Sequence, residues 1–184
     1  MCGFAGFVGE VENREQVLEN MIDTIIHRGP DSSGKFVDED AALGFRRLSI
    51  IDLSESGDQP LYNEDRSKVL VFNGEIYNYQ ELREELIQAG HTFVSNTDSE
   101  TLIHGYEQWG EELVYRLRGM YAFAIWDQKA KRLFSARDIF GIKPLYYAQM
   151  NGTLMFGSEI KSFLEHPKFD KVFNEDALGN YLSF

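Results

Sequence analysis

Two strand-length runs in this chain have no polar face. Phe4–Val8 and Met120–Trp126 are apolar at every position. A strand buried on both faces lies between two layers. Around these runs the remaining elements fall into groups. Val17, Leu18, Met21, Ile22, Ile25 and Ile26 recur at helical spacing behind Asn13 and Gln16, which read as a capping box. That helix ends before His27-Arg28-Gly29-Pro30, because Gly-Pro cannot continue it. Short strands are expected near Lys35–Val37 and Ala41–Phe45, and a longer one from Lys68 into Asn73. Two capped helices follow, opened by Asn78 with Glu81 and by Thr97 with Glu100; Gly90 stops the first and the second ends near Gly110. Glu112–Leu117 reads as one or two helical turns. The second half is mostly strand, with Asn151-Gly152 marking a hairpin between Leu145–Met150 and Thr153–Phe156. Ser158 opens a short helix, and Asn174 caps a last one from Glu175 to Phe184. Helices between runs of mainly antiparallel strands point to an α+β fold of stacked sheets with helices outside.

Composition narrows the function. The 184 residues carry a net charge of −12 and no Lys/Arg run, which argues against nucleic acid and anionic membranes. One cysteine excludes an internal disulfide and a cysteine-based metal site. No secretory signal or membrane-length apolar stretch is present, so the expected compartment is the cytoplasm.

The single cysteine is Cys2. If Met1 is removed, one residue carries a thiol of reference pKa about 8.5 and an α-amine of about 8. The amine can deprotonate the thiol, directly or through one water, making a nucleophile–base pair without histidine. The competing reading is a cysteine buried in a first strand. Gly3 and Gly6 leave the strand start open to a substrate backbone.

Other candidates are individually weak. Asn73-Gly74-Glu75 reads as a tight turn, but an Asn side chain and the next backbone N–H are also two donors able to hold an oxyanion. Asp98 caps a helix, or is freed by Thr97 to bind an ammonium. Arg47 is a solvated strand end, or forks onto a carboxylate. Arg28-Gly29-Pro30-Asp31 reads as a rigid structural turn. Together the candidates fit an amino-acid amide.

The chain resembles the class II glutamine amidotransferase (N-terminal nucleophile hydrolase) domain of glutamine-dependent asparagine synthetases. The resemblance rests on MCGFAG, HRGPDSSG at 27–34, RLSIIDLS at 47–54, FNGEIYNYQELREEL at 72–86, GHTFVSNTDSE at 90–100 and ARDIFGIKPLYY at 136–147. It implies a four-layer αββα sandwich of two mainly antiparallel sheets over residues 2–184. It implies Cys2 as nucleophile, with the Asn73 side chain and Gly74 N–H as oxyanion hole. Glutamine would contact Arg47, Leu48, Ser49, Ile50, Ile51, Asn73, Gly74, Glu75 and Asp98, with Arg47 on the α-carboxylate and Asp98 and Glu75 at the α-ammonium. The domain is expected to need no metal or cofactor; ATP and Mg would serve a synthetase domain expected to follow and absent from this chain. The expected partners are L-glutamine and that synthetase domain, a homodimer being one option. The rival readings are an amidotransferase feeding another acceptor and a catalytically silent regulatory domain.

Overall fold

The structure, a computed structural model, describes residues 1–48 and 58–183. Strand β1 (Gly3–Val8) is followed by α1 (Arg14–Asp23), β2 (Ser32–Val37) and β3 (Ala41–Arg47). Next come β4 (Leu61–Tyr62), β5 (Lys68–Ile76), α2 (Tyr79–Gln88), α3 (Asp98–Trp109), β6 (Gly119–Asp127) and β7 (Arg132–Arg137). The hairpin β8 (Tyr146–Met150) and β9 (Thr153–Gly157) and the short α4 (Glu175–Tyr181) complete the order. One antiparallel sheet runs β2-β3-β1-β9-β8 and the other β4-β5-β6-β7.

Side-chain alternation turns these sheets into four layers. On β1, Ala5 and Phe7 pack with Leu18, Met21 and Ile22 of α1. Phe4 faces the other way, joining Leu43 and Phe45 of β3, Val69 and Val71 of β5, and Ala122, Ala124 and Trp126 of β6. Leu70 and Phe72 of β5 meet Leu82 of α2 and Leu102, Ile103 and Tyr106 of α3. Helix, sheet, sheet, helix is the layering that the doubly apolar runs demand. Gly44 lets α1 close on its sheet, since a Cβ there would lie 2.5 Å from Ile22 Cγ2.

Several local expectations fail. Asn13 precedes α1 in a left-handed conformation, φ 52°, and makes no cap bond; Gln16 bonds Asn20 instead. Asn78 makes no cap bond to α2, because its amide bridges to Arg116 O and Arg118 N. Thr97 makes no side-chain cap, and Glu100 reaches past it to the N–H groups of Val94 and Ser95, both at 2.7 Å. The segments after α3 and after Ser158 are 3-10 turns, Gly110–Tyr115 and Ile160–Glu165. Asn73-Gly74-Glu75 is not a turn: β5 runs straight through it, paired with β6 to Ile76. The Asn151-Gly152 hairpin forms as expected, with φ of 50° and 75°. Asn174 caps α4 by accepting from Ala177 N at 3.2 Å. α4 ends at Tyr181, short of the expected Phe184, which lies outside the described residues.

Candidate active site

The interlayer core is apolar in its middle and polar at one end, because three strands continue past it in register. On β5, Val69 and Val71 face the other sheet, so Asn73 and Glu75 extend the same face. On β3, Leu43 and Phe45 do so, and Arg47 extends theirs. On β1 it is Phe4, and Cys2 extends it; Cys2 packs on the same cluster. Gly3 pairs with Arg46, which carries Cys2 to the level of Arg47.

Cys2 sits against the Leu48 backbone, its Sγ 3.4 Å from Leu48 N and 3.7 Å from Leu48 O. Its own carbonyl accepts from Arg28 Nε at 3.1 Å, and Arg28 Nη1 pairs with Glu159 at 3.1 Å. A Cβ on Gly3 would come within 2.8 Å of Arg28 Cδ. The room at Gly3 is therefore taken by Arg28 and not left for a substrate backbone. Gly29 is as constrained: a Cβ would lie 2.4 Å from Arg46 O, so the turn lies flush on the end of β3.

Asn73 is 3% exposed and its Nδ2 has no hydrogen-bond partner among the described residues. A buried orphan donor costs roughly 1–3 kcal/mol, so its retention points to a ligand atom that satisfies it. Gly74 is required by packing, since a Cβ would lie 2.2 Å from Met120 O. The direction of its N–H follows from its neighbours. Alternate residues of a strand point their N–H and C=O groups to the same edge. Phe72 N donates to Gln59 Oε1 at 2.6 Å and Phe72 O accepts from Gln59 Nε2 at 3.2 Å. Ile76 N donates to Asp98 Oδ2 at 2.9 Å. Gly74 lies between them, and its ladder partner Tyr121 turns both backbone groups the other way, to Asp138. The Gly74 N–H thus points out of the edge beside Gln59 and Asp98.

Asp98 opens α3. Burial raises its pKa above the usual carboxylate range; bonds from the N–H groups of Ile76 and Ser99 oppose this, and nearby Glu75 adds to it. Two carboxylates, one of them desolvated, make a place where a cation is stabilised. Arg47, 8% exposed, bonds Asp58 through Nη1 at 2.8 Å, so its guanidinium already holds a carboxylate. Leu48 is in place beside Cys2, while Ser49, Ile50 and Ile51 lie outside the described residues. Asp58 and Gln59, which tie β3 and β5 to the site, carried no signal within their own stretch of sequence. Asp138 did have one, lying in the 136–147 motif; buried, it accepts from the N–H groups of Tyr121, Ile142 and Lys143.

Two solved structures share this fold. One is the glutamine phosphoribosylpyrophosphate amidotransferase of B. subtilis, with TM-score 0.74 and 22% identity over 88% of this chain and 43% of that one. The other is described as the allosteric regulatory enzyme of purine biosynthesis, with TM-score 0.77 and 22% identity over 89% and 43%. The fold is thus the αββα sandwich of these structures. Within it, the chain belongs to the glutamine amidotransferase domain family, whose model matches residues 1–184. Its curated relatives include glutamine-hydrolyzing asparagine synthetase 1 of Bacillus subtilis, 47% identical over 100% of this chain and 30% of that protein. Glutamine-hydrolyzing asparagine synthetase 2 of the same organism is 44% identical over 98% and 24%. A maize glutamine-hydrolyzing asparagine synthetase is 44% identical over 88% and 28%. The chain thus spans less than a third of the length of these relatives. Among the described residues no helix is long and apolar enough to cross a membrane.

Proposed function

We propose that this chain releases ammonia from L-glutamine through Cys2, with residues 2–184 acting as one glutaminase domain. Removal of Met1, which is 54% exposed, frees the α-amine. The amine takes the thiol proton, and the thiolate attacks the side-chain amide carbon. The oxyanion so formed is held by Asn73 Nδ2 and Gly74 N–H. The ammonium at Cys2 returns its proton to the leaving nitrogen, the C–N bond breaks and ammonia departs, leaving a γ-glutamyl thioester. Water then attacks the thioester, giving its proton to the amine, and glutamate leaves with the thiol restored. The observation that carries this reading is the buried Asn73 Nδ2, without a partner among the described residues, on the interlayer face that Cys2 shares.

The edge of β5 supports a substrate pose. From Gly74 to Ile76, whose N–H meets Asp98, is two residues of strand, about 6.8 Å. That is close to the reach of an extended glutamine from amide to α-ammonium. The ammonium would lie at Asp98 and Glu75, and the α-carboxylate would compete with Asp58 for Arg47. We infer that in the full polypeptide ammonia passes to a synthetase domain, in the cytoplasm, where ATP and Mg serve amidation of aspartate to asparagine; the relatives' being glutamine-hydrolyzing asparagine synthetases supports this reading. The exposed Ile139, Phe140 and Tyr147 support a covering domain on this side; within that loop Lys143 Nζ lies 3.8 Å from Met1 Sδ.

The experiment pairs intact-mass measurement with glutaminase assay. Active protein should start at Cys2, and Cys2→Ala should bind glutamine without releasing glutamate. Full activity with Met1 retained, or in Cys2→Ala, would overturn the mechanism. Loss of glutamine binding in Cys2→Ala would return the cysteine to a structural role.

A further inference from the structure

We propose that Glu64, His91, His104 and Glu107 form a binding site for one first-row divalent transition cation, with zinc the best chemical match. The cluster lies on the helical side of the second sheet and belongs to no step of glutamine hydrolysis. Three elements converge there: the turn before β5 gives Glu64, the segment after α2 gives His91, and one face of α3 gives His104 and Glu107 at i, i+3. One ligand atom from each residue lies within 4.8 Å of the other three. Two imidazoles and two carboxylates are a zinc-type donor set, and four such ligands suit its tetrahedral preference.

A second, independent observation is that the outer ring nitrogens are already engaged. Metal-bound histidines usually have their far nitrogen tied to a carboxylate or carbonyl oxygen. Here His91 Nε2 is 3.1 Å from Gln108 Oε1, and His104 Nε2 is 3.6 Å from Glu100 Oε1. Both rings therefore turn Nδ1 toward Glu107. His104 Nδ1 lies 3.1 Å from Glu107 Oε2 and 3.7 Å from Glu64 Oε1, and His91 Nδ1 lies 3.9 Å from Glu107 Oε2. Glu107 is itself oriented, its Oε1 accepting from Asn63 Nδ2 at 2.7 Å with Lys68 Nζ 4.0 Å away. His104 is 2% exposed, whereas the Glu64 side chain is 49% exposed and gives the approach from solvent. The ion would tie the turn before β5 to the helix that carries Asp98.

Titration calorimetry of the purified chain with zinc chloride tests this. One equivalent should bind, and thermal stability should rise with zinc. His91→Ala and Glu64→Gln, each checked for an unchanged zinc-free melting transition, should weaken binding by about a hundredfold. Gln108→Ala, which frees only the outer nitrogen of His91, should weaken it about tenfold. Cys2→Ala should bind as the parent does. No binding, or equal binding by His91→Ala, would overturn the proposal. So would loss of the equivalent in Cys2→Ala, which would place the ion on the thiol.

Discussion

Asn73 is the residue whose meaning changes most between sequence and structure. Asn-Gly favours a turn in isolation, yet pairing with β6 holds both residues in an extended strand. That leaves the amide buried and aimed past the interlayer core. Asn73→Ala should lower kcat about a hundredfold or more with little change in KM, since an oxyanion donor acts mainly in the transition state; steady-state kinetics decide it. Asp98 gives a different signature. Its carboxyl is raised by burial, so ionising it costs the folded state free energy that a bound ammonium would return. Asp98→Asn keeps an acceptor for Ile76 N and removes the charge. KM for glutamine should rise about ten- to hundredfold, as loss of a charge-assisted bond implies, while melting temperature holds or increases. A helix-cap role predicts an unchanged KM, since asparagine caps as well as aspartate. Cys2 was legible because position 2 is chemically special. Arg28, Asp58 and Glu159 as its surroundings were not, because their partners lie far off in sequence and only folding joins them.

At the level of elements, apolar periodicity located the helices and strands, but cap chemistry misplaced their ends. Asn78 is spent on a contact across to Arg116 and Arg118, and Asn13 adopts a left-handed backbone. Tertiary partners outbid the local bond in the first case, and no window of sequence around either cap contains that information. The short β4 went unseen because two residues carry no periodicity. Beyond β4, Gln59 continues the pairing with its side chain, giving Phe72 the two bonds that a strand would give. Gln59→Ala should cost roughly 1–3 kcal/mol in denaturant unfolding, as expected when buried backbone groups lose partners. It should also depress kcat/KM, because the edge at Gly74 loses its upstream anchor. Gln59→Glu keeps the acceptor for Phe72 N but places a carboxylate against Phe72 O, and should be no better.

For the whole molecule, the layering was written in the two doubly apolar strands, and three packed clusters realise it. Acid sensitivity arises on the α1 side. His166 is 2% exposed against Phe7, and burial, with some help from Lys168, lowers its pKa to about 4 from 6.5. The unfolded chain binds this proton first as pH falls, so stability is complete above 6.5 and drains away toward 4, by on the order of 3 kcal/mol. Melting temperature followed over that range should fall less steeply in His166→Asn, whose amide can still accept from Lys168 N. A last consequence concerns β1, the middle strand of its sheet, with Cys2 at its tip. Anything joined ahead of Cys2 would have to leave through the mouth of the candidate site and would acylate the amine proposed as base. On the proposed mechanism, a fusion that buries the Cys2 amine in a peptide bond should abolish glutamine hydrolysis unless the added segment is cut away. Affinity tags and fluorescent labels belong on its other end.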